Sequence, residues 1–274
     1  MLPFEGLPLI RTKCCAFSRA TSLYALRAGM QAVASGPGAG SFDLTTLTYL
    51  VDTRCEGSLP EHAQGPCCTA LIPWFKSSVL TQPWARDWQG LMGVANRVAP
   101  EPDYLAALEK ASSLLWLGLG RFLSYVPPQV VGSLDLRGCD VAILLGRANN
   151  DFAHQKQVYL DNRKSATELG LEAAMKTAEL LLARGVKTVV CTTSPTTTTL
   201  NTQLLQAILA NLASGQPIAE AVWRASQATA AGLDLEHVKS HVVVLGVPNT
   251  TASTALSKLV KGAAGAAAKK EAKK

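Results

Sequence analysis

The chain reads as an α/β layered fold, with a mostly parallel sheet flanked by helices on both faces. Three observations carry that reading. The strongest apolar runs, at 114–119, 139–146, 185–191 and 242–247, are of strand length and nearly continuous, the pattern of strands covered on both sides. Between them lie stretches with helical spacing and recognisable ends. The resulting order of helix, strand, loop, helix, strand, helix, helix, strand belongs to a layered α/β architecture. With 274 residues and 48% apolar content, the chain buries a substantial core. No internal repeat is visible.

Taken in order, residues 44–51 place Leu44, Leu47, Leu50 and several threonines ahead of Asp52. They suit a strand bounded by Gly40-Ser41 and a turn-rich segment at 55–66. Residues 69–100, with Trp74, Trp84 and Trp88, read as loops and short helices packed over the core. Pro100-Glu101-Pro102-Asp103 opens a helix that runs to Ser112, with prolines and carboxylates in the first turn, where free N–H groups and the dipole favour them. It feeds the strand at 114–119. After Pro127-Pro128, residues 139–146 form the next strand, and 148–164, lacking periodicity, are expected to be a long polar loop. Residues 165–184 read as one helix. Leu169, Ala173, Leu180 and Leu181 recur at helical spacing, Ser165 and Glu168 fit a capping box, and Gly185 is a stop signal. Helices at 199–213 and 218–231 end at Ser214-Gly215 and Gly232, the second with Pro217 beside its first turn. The Thr196 to Thr199 run ahead of the first of these is read as capping rather than as a phosphate site.

Composition excludes several classes. No run of 18 apolar residues is present, so no helix is long and apolar enough to span a bilayer, and no membrane role is expected. The formal charge is +6, but residues 258–274 hold six lysines offset only by Glu271. The rest of the chain carries almost no net charge, so no field attracts nucleic acid. The segment 251–274, rich in alanine, glycine and lysine, is too poor in large apolar side chains to build a core and is expected to be a disordered tail. Residues 1–250 are expected to form the folded domain. Seven cysteines (Cys14, Cys15, Cys55, Cys67, Cys68, Cys139 and Cys191), odd in number and without C-x-x-C, suit a reducing compartment. The four histidines (His62, His154, His237 and His241) give neither H-x-x-H nor H-E-x-x-H, so no metal is expected. His241 leads into an apolar strand. Gly36-Pro37-Gly38-Ala39-Gly40 lacks both the Gly-Lys-Ser/Thr of a P-loop and dinucleotide spacing, so no cofactor is expected.

The segment 6–41 reads in two ways. Arg11, Lys13, Arg19 and Arg27 without any acidic residue resemble the composition of a mitochondrial presequence. The same residues also fit the opening of a protein family. Leu2-Pro3-Phe4-Glu5-Gly6-Leu7-Pro8 and Ser18-Arg19-Ala20-Thr21-Ser22-Leu23 are followed by Trp88-Gln89-Gly90, Gly118-Leu119-Gly120 and Leu144-Leu145-Gly146-Arg147. Next come Ala183-Arg184-Gly185-Val186-Lys187-Thr188-Val189-Val190, Ala219-Glu220-Ala221 and Val243-Val244-Leu245-Gly246. In this order the segments resemble the CHAT and separase group of caspase-like peptidases across residues 2–248. The order carries the match, since each motif alone is weak. A narrower resemblance, carried by Gly120-Arg121-Phe122-Leu123-Ser124-Tyr125 and Leu136-Arg137-Gly138-Cys139-Asp140, is to the degenerate caspase-like region of large central-apparatus proteins of cilia and flagella.

The resemblance implies a caspase-like sheet and places the family's histidine at Leu119 and its cysteine at Arg147. Leucine accepts no proton and arginine is a permanent cation without a nucleophilic lone pair. A thiolate and imidazole dyad is therefore expected to be absent. Leu119 is read as a core residue filling the former pocket. Arg147 is read as either a solvated loop charge or a partner of a group such as Asp151. Cys139 should lie at the wrong end of its strand, and His154 with Cys191 is the one replacement pairing left open. The family opening is normally preceded by a strand, so a central strand is expected to be missing, with the chain a C-terminal piece or completed by a neighbour. The function implied is a non-catalytic structural or interaction module of the ciliary or flagellar axoneme, supporting cilium movement. Its partners would be other axonemal proteins, with tubulin reached through the lysine tail. The alternatives are a CHAT-class cysteine peptidase with a relocated dyad, and a mitochondrial or other organellar assembly subunit reusing the scaffold.

Overall fold

The computed structural model describes residues 18–20, 27, 30–31, 40–54, 71–93, 99–124, 126–147, 151–229 and 241–253. The opening motif at 2–8, the lysine tail, five of the cysteines, His62 and His237 lie outside them.

Among the described residues, six strands make the main sheet: β2 (Thr48–Val51), β3 (Gln89–Met92), β4 (Ser113–Leu117), β5 (Val141–Leu145), β6 (Thr188–Thr192) and β7 (Val242–Gly246). Their order is β3-β2-β4-β5-β6-β7. All neighbours are parallel except β6 and β7, which are antiparallel. Two further strands, β1 (Ser41–Asp43) and β8 (Thr251–Ser253), pair in parallel as a small second sheet. The sheet is therefore mostly parallel, as the continuous apolar runs predict.

Strand side chains alternate between two cores. Leu115, Leu117, Ile143, Leu145, Val190 and Val244 face one side. There α7 (Thr198–Ala213) and α8 (Ile218–Thr229) cover them through Leu205, Ile208, Leu209 and Val222. On the other side Leu114, Trp116, Leu144, Val189 and Leu245 meet α2 (Glu101–Lys110), α3 (Pro128–Val131) and α6 (Ala174–Ala183). The fully buried side chains explain why these strands show no polar face.

Several expectations change. The central vacancy is not found: β2, β4, β5 and β6 are each paired on both sides, so the described sheet has no gap. The segment 148–164, expected to be a loop, contains α4 (Asp151–Asp161). Two of its apolar side chains, Val158 and Tyr159, are exposed, so they do not mark a buried stripe in the sequence. The helix expected over 165–184 is two, α5 (Ala166–Leu171) and α6, broken at Glu172-Ala173. Glu172 is drawn into a buried ion cluster there. Residues 69–100 do hold α1 (Leu71–Trp74) and short turns, but Gln89–Met92 is an edge strand. Leu44–Thr46 is a 3₁₀ turn rather than strand, and its Leu44 carbonyl accepts a 2.6 Å bond from the Trp88 indole. Residues 251–253, assigned to the tail, belong to the fold through β8.

The end signals that fall on described residues hold, and the stop expected at Gly232 lies outside them. Ser165 and Glu168 form the capping box of α5, and Thr197 caps α7 by accepting from the Leu200 N–H. Both satisfy donors that the helix itself leaves open.

Candidate functional site at the carboxyl edge of the sheet

Open parallel sheets bind ligands beyond the carboxyl ends of their strands, which makes the segments after β2, β4, β5 and β6 the place to look. After β4, Gly118 donates to the Leu145 carbonyl at 3.0 Å, and after β5, Arg147 donates its backbone N–H to the Gly120 carbonyl at 2.9 Å. The two strand ends therefore cross-link each other. Thr192 at the end of β6 joins them: its hydroxyl accepts from the Gly146 N–H at 3.1 Å and donates to the Gly146 carbonyl at 3.2 Å.

Leu119 is 3% exposed and packs in the same core as Leu115 and Leu117. It lines one wall of a cavity of about 200 Å³ between the ends of β2 and β4, with Asp52, Thr53, Tyr104 and Trp116. Burial holds the Tyr104 hydroxyl far above its ordinary range, so it stays protonated at any working pH.

Of the two readings offered for Arg147, the solvated loop charge is not what is found, and the Asp151 side chain lies outside the described residues. Arg147 is half-buried, its backbone lies in the left-handed region with φ 58°, and its Nη1 donates to the Thr193 carbonyl at 3.1 Å. Burial, with the nearby Arg121 charge adding to it, lowers its pKa from the ordinary value. Between the ends of β4, β5 and β6 remains a crevice of about 20 Å³, lined by Trp116, Arg121, Arg147, Glu172 and Cys191 among others. That space holds roughly one water molecule and no substrate side chain.

Trp116 is the reason for that small volume. Its ring lies against both strand ends, so that a Cβ at Gly118 would come within 2.5 Å of it and a Cβ at Gly146 within 2.3 Å. Phe122 closes on it edge-to-face, with ring centroids 5.6 Å apart.

Beside the crevice lies an ion cluster. Arg121 donates to Glu172 at 2.8 and 3.0 Å and to Asp161 at 2.5 and 3.1 Å. Lys164 pairs with the other Glu172 oxygen and donates to the Ser124 carbonyl. Gln157 bridges Asp161 and Ser124. Burial opposes the Arg121 charge, but the hydrogen bonds and charges of Asp161 and Glu172 outweigh it and hold its pKa above the ordinary value. The cluster fixes α4 and α5 across the carboxyl edge.

The remaining candidates do not assemble. Cys139 sits just ahead of β5, at the opposite edge of the sheet from Gly146, and burial, helped by the Asp140 charge, pushes its thiol up to about 12. Cys191 is 2% exposed beneath α6, its thiol also pushed up to about 12 by burial. His154 stands exposed on α4. An exposed imidazole and an enclosed thiol do not form the pairing left open by the sequence. No group of three or more potential metal ligands converges among the described residues.

One polar constellation escaped the sequence reading. His241, 2% exposed and directly ahead of β7, places Nδ1 2.9 Å from the Ser194 hydroxyl and Nε2 3.4 Å from Asn201 Oδ1. Asn201 Nδ2 donates to the Gly146 carbonyl at 3.1 Å, which fixes the amide orientation. The signals were a serine just past β6 and an asparagine in the first turn of α7, neither of which is distinctive without the histidine 40 or more residues away.

No family model matches the chain. It is 36% identical, across an alignment of 304 residues, to the cilia- and flagella-associated protein 46 of Chlamydomonas reinhardtii; the match covers 96% of this chain and 11% of that protein. The chain thus spans about one ninth of the curated relative. Two crystal structures of the Saccharomyces cerevisiae separase–securin complex share its fold. Both give a TM-score of 0.61 over 90% of this chain, at 13% and 11% identity and covering 14% and 15% of the chains matched. The chain is therefore homologous to one segment of a cilia- and flagella-associated protein and carries the caspase-like α/β fold seen in separase.

Proposed function

We propose that this chain is a CHAT-type caspase-like domain that has lost its dyad and serves as a structural and interaction module of the ciliary or flagellar axoneme, in its central apparatus. The observation that carries the reading is the match over 96% of the chain to a cilia- and flagella-associated protein, combined with leucine and arginine at the two strand ends where the family resemblance expects histidine and cysteine. Leu119 offers no base, and Arg147 offers no nucleophile. The crevice beside Arg147, between the ends of β4, β5 and β6, is about 20 Å³, too small for a peptide side chain, while Leu119 lines the separate cavity between the ends of β2 and β4. The partners are other axonemal proteins, with the lysine-rich segment at 258–274 a weak, salt-sensitive tether to the acidic surface of tubulin.

The test is localisation of the endogenous protein by an epitope tag in a ciliated cell. Retention on detergent-extracted axonemes is the expected result. A tag recovered in mitochondria or lost entirely to the detergent-soluble fraction overturns the proposal.

A further inference from the structure

Among the described residues, no carboxylate is matched to Arg147 by a hydrogen bond or ion pair. Around it, Arg121 and Lys164 are matched against Asp161 and Glu172, while the guanidinium of Arg147 donates to a neutral carbonyl. The carbonyl belongs to Thr193, and the Thr196 N–H returns a 3.0 Å bond to the Arg147 carbonyl. The loop 193–196 is thereby fastened around Arg147, with Ser194 at its exposed turn and Pro195 next to it. The Ser194 hydroxyl points to His241 Nδ1.

We propose that Ser194 is a phosphorylation site for a proline-directed serine/threonine kinase, and that Arg147 and His241 form the built-in receptor for its phosphate. The serine is exposed, lies in a loop and is followed directly by proline, which is the substrate chemistry of that kinase class. In the transfer, Ser194 Oγ attacks the γ-phosphorus of ATP. The bond to the β,γ-bridging oxygen breaks, ADP leaves, and the hydroxyl proton passes to the kinase's base.

The electrostatics favour the product. Phosphate brings roughly 1.5 to 2 negative charges at pH 7 to a place where three cations face two carboxylates among the described residues. It also changes what His241 faces. In the unmodified chain burial, then the Arg147 charge, holds the imidazole down to about 4, so Nδ1 is an acceptor for the Ser194 O–H. Once phosphorylated, Ser194 has no proton to give and presents oxygens instead, so Nδ1 gains by protonation. Asn201 keeps the ring in place by accepting at Nε2. The groups that set this titration are Arg147, with Arg121 behind it, and the phosphate itself.

The same trio resembles a serine nucleophile with its base, and charge argues against that use. A relay must pass through an imidazolium, and here the cation would form beside Arg147 with a neutral amide in place of a carboxylate.

The experiment uses the 274-residue chain in two arms. In the first, a proline-directed kinase with ATP acts on the folded protein and on a synthetic peptide of residues 190–199. Mass spectrometry should find phosphate on Ser194 in both and none in Ser194→Ala protein. Modification of the peptide but not of the folded chain overturns the site. In the second, phosphoserine is encoded at position 194 and its second ionisation is followed by ³¹P NMR. The value should lie at least about one unit below the free value of about 6, return towards it in Arg147→Gln, and be partly kept in Arg147→Lys. A phosphate that titrates near its free value in the unsubstituted chain overturns the receptor.

Discussion

Replacing Gly146 by alanine tests whether Trp116 seals the cleft between β4 and β5. A Cβ at position 146 would lie 2.3 and 2.6 Å from two indole carbons and 2.8 Å from the Gly120 carbonyl oxygen. Carbon atoms rest at roughly 3.5–4.0 Å, so the ring must retreat by more than about 1 Å. It has little room, being 6% exposed and held by Phe122. Overpacking of this kind costs about 1–3 kcal/mol. Trp116→Ala alone should cost about 3–5 kcal/mol through lost contacts and the cavity left behind. In the double variant the indole clash is gone and only the Gly120 contact remains. The combined loss should then fall short of the sum by at least about 1 kcal/mol, the signature of two side chains competing for one space. Urea unfolding followed by far-ultraviolet circular dichroism gives all four corners of the cycle. Additivity within about 0.5 kcal/mol, or a neutral Gly146→Ala, would refute the picture of a ring seated between the strand ends.

Three further outcomes are expected. Glu172→Gln leaves Arg121 and Lys164 short of a buried carboxylate, and stability should fall by about 3–5 kcal/mol, with α4 amides losing hydrogen-exchange protection before those of β5. Acid should weaken the fold through His241: its pKa is 6.5 ordinarily and about 4 in the native state, so the unfolded chain binds more protons between those values. Stability should be full above about pH 6.5 and decline towards pH 4 by an amount on the order of 3 kcal/mol. His241→Gln should flatten that slope in urea titrations run across the range. Finally, Cys139 and Cys191, with thiols pushed up to about 12, should resist iodoacetamide at pH 8 in the native state and react on unfolding; rapid native labelling at either, mapped by mass spectrometry, would mean that these sites open.

What the sequence reveals here follows from where the apolar residues lie. Strands β4 to β7 are buried on both faces, so their composition alone marks them, and the caps at Ser165 and Thr197 mark helix starts by local chemistry. The helix α4 is tied down through Asp161, which accepts from Arg121 and Gln157. Its cause is a set of partners distant in sequence, and periodicity does not see it. Glu172 shows the same effect in reverse, since the pull of Arg121 and Lys164 breaks a helix that local propensity would continue. At the carboxyl edge, the leucine at 119 and the arginine at 147 are readable from the sequence as two residues that follow apolar strands. The volume taken by Trp116 is not, because it depends on glycines that follow two different strands. The His241, Ser194 and Asn201 constellation depends on β7 running antiparallel beside β6, a pairing that no local motif announces.

The most direct test of the whole account separates contact from catalysis in a living cilium. Cells lacking the protein are rescued with a tagged form carrying Cys191→Ala and His154→Ala, which removes the described thiol and imidazole that the sequence left open as a replacement pair. The account predicts wild-type retention on extracted axonemes together with wild-type beating. Retention at the wild-type level with beating lost would contradict it, because the domain would then be in place and lacking only chemistry.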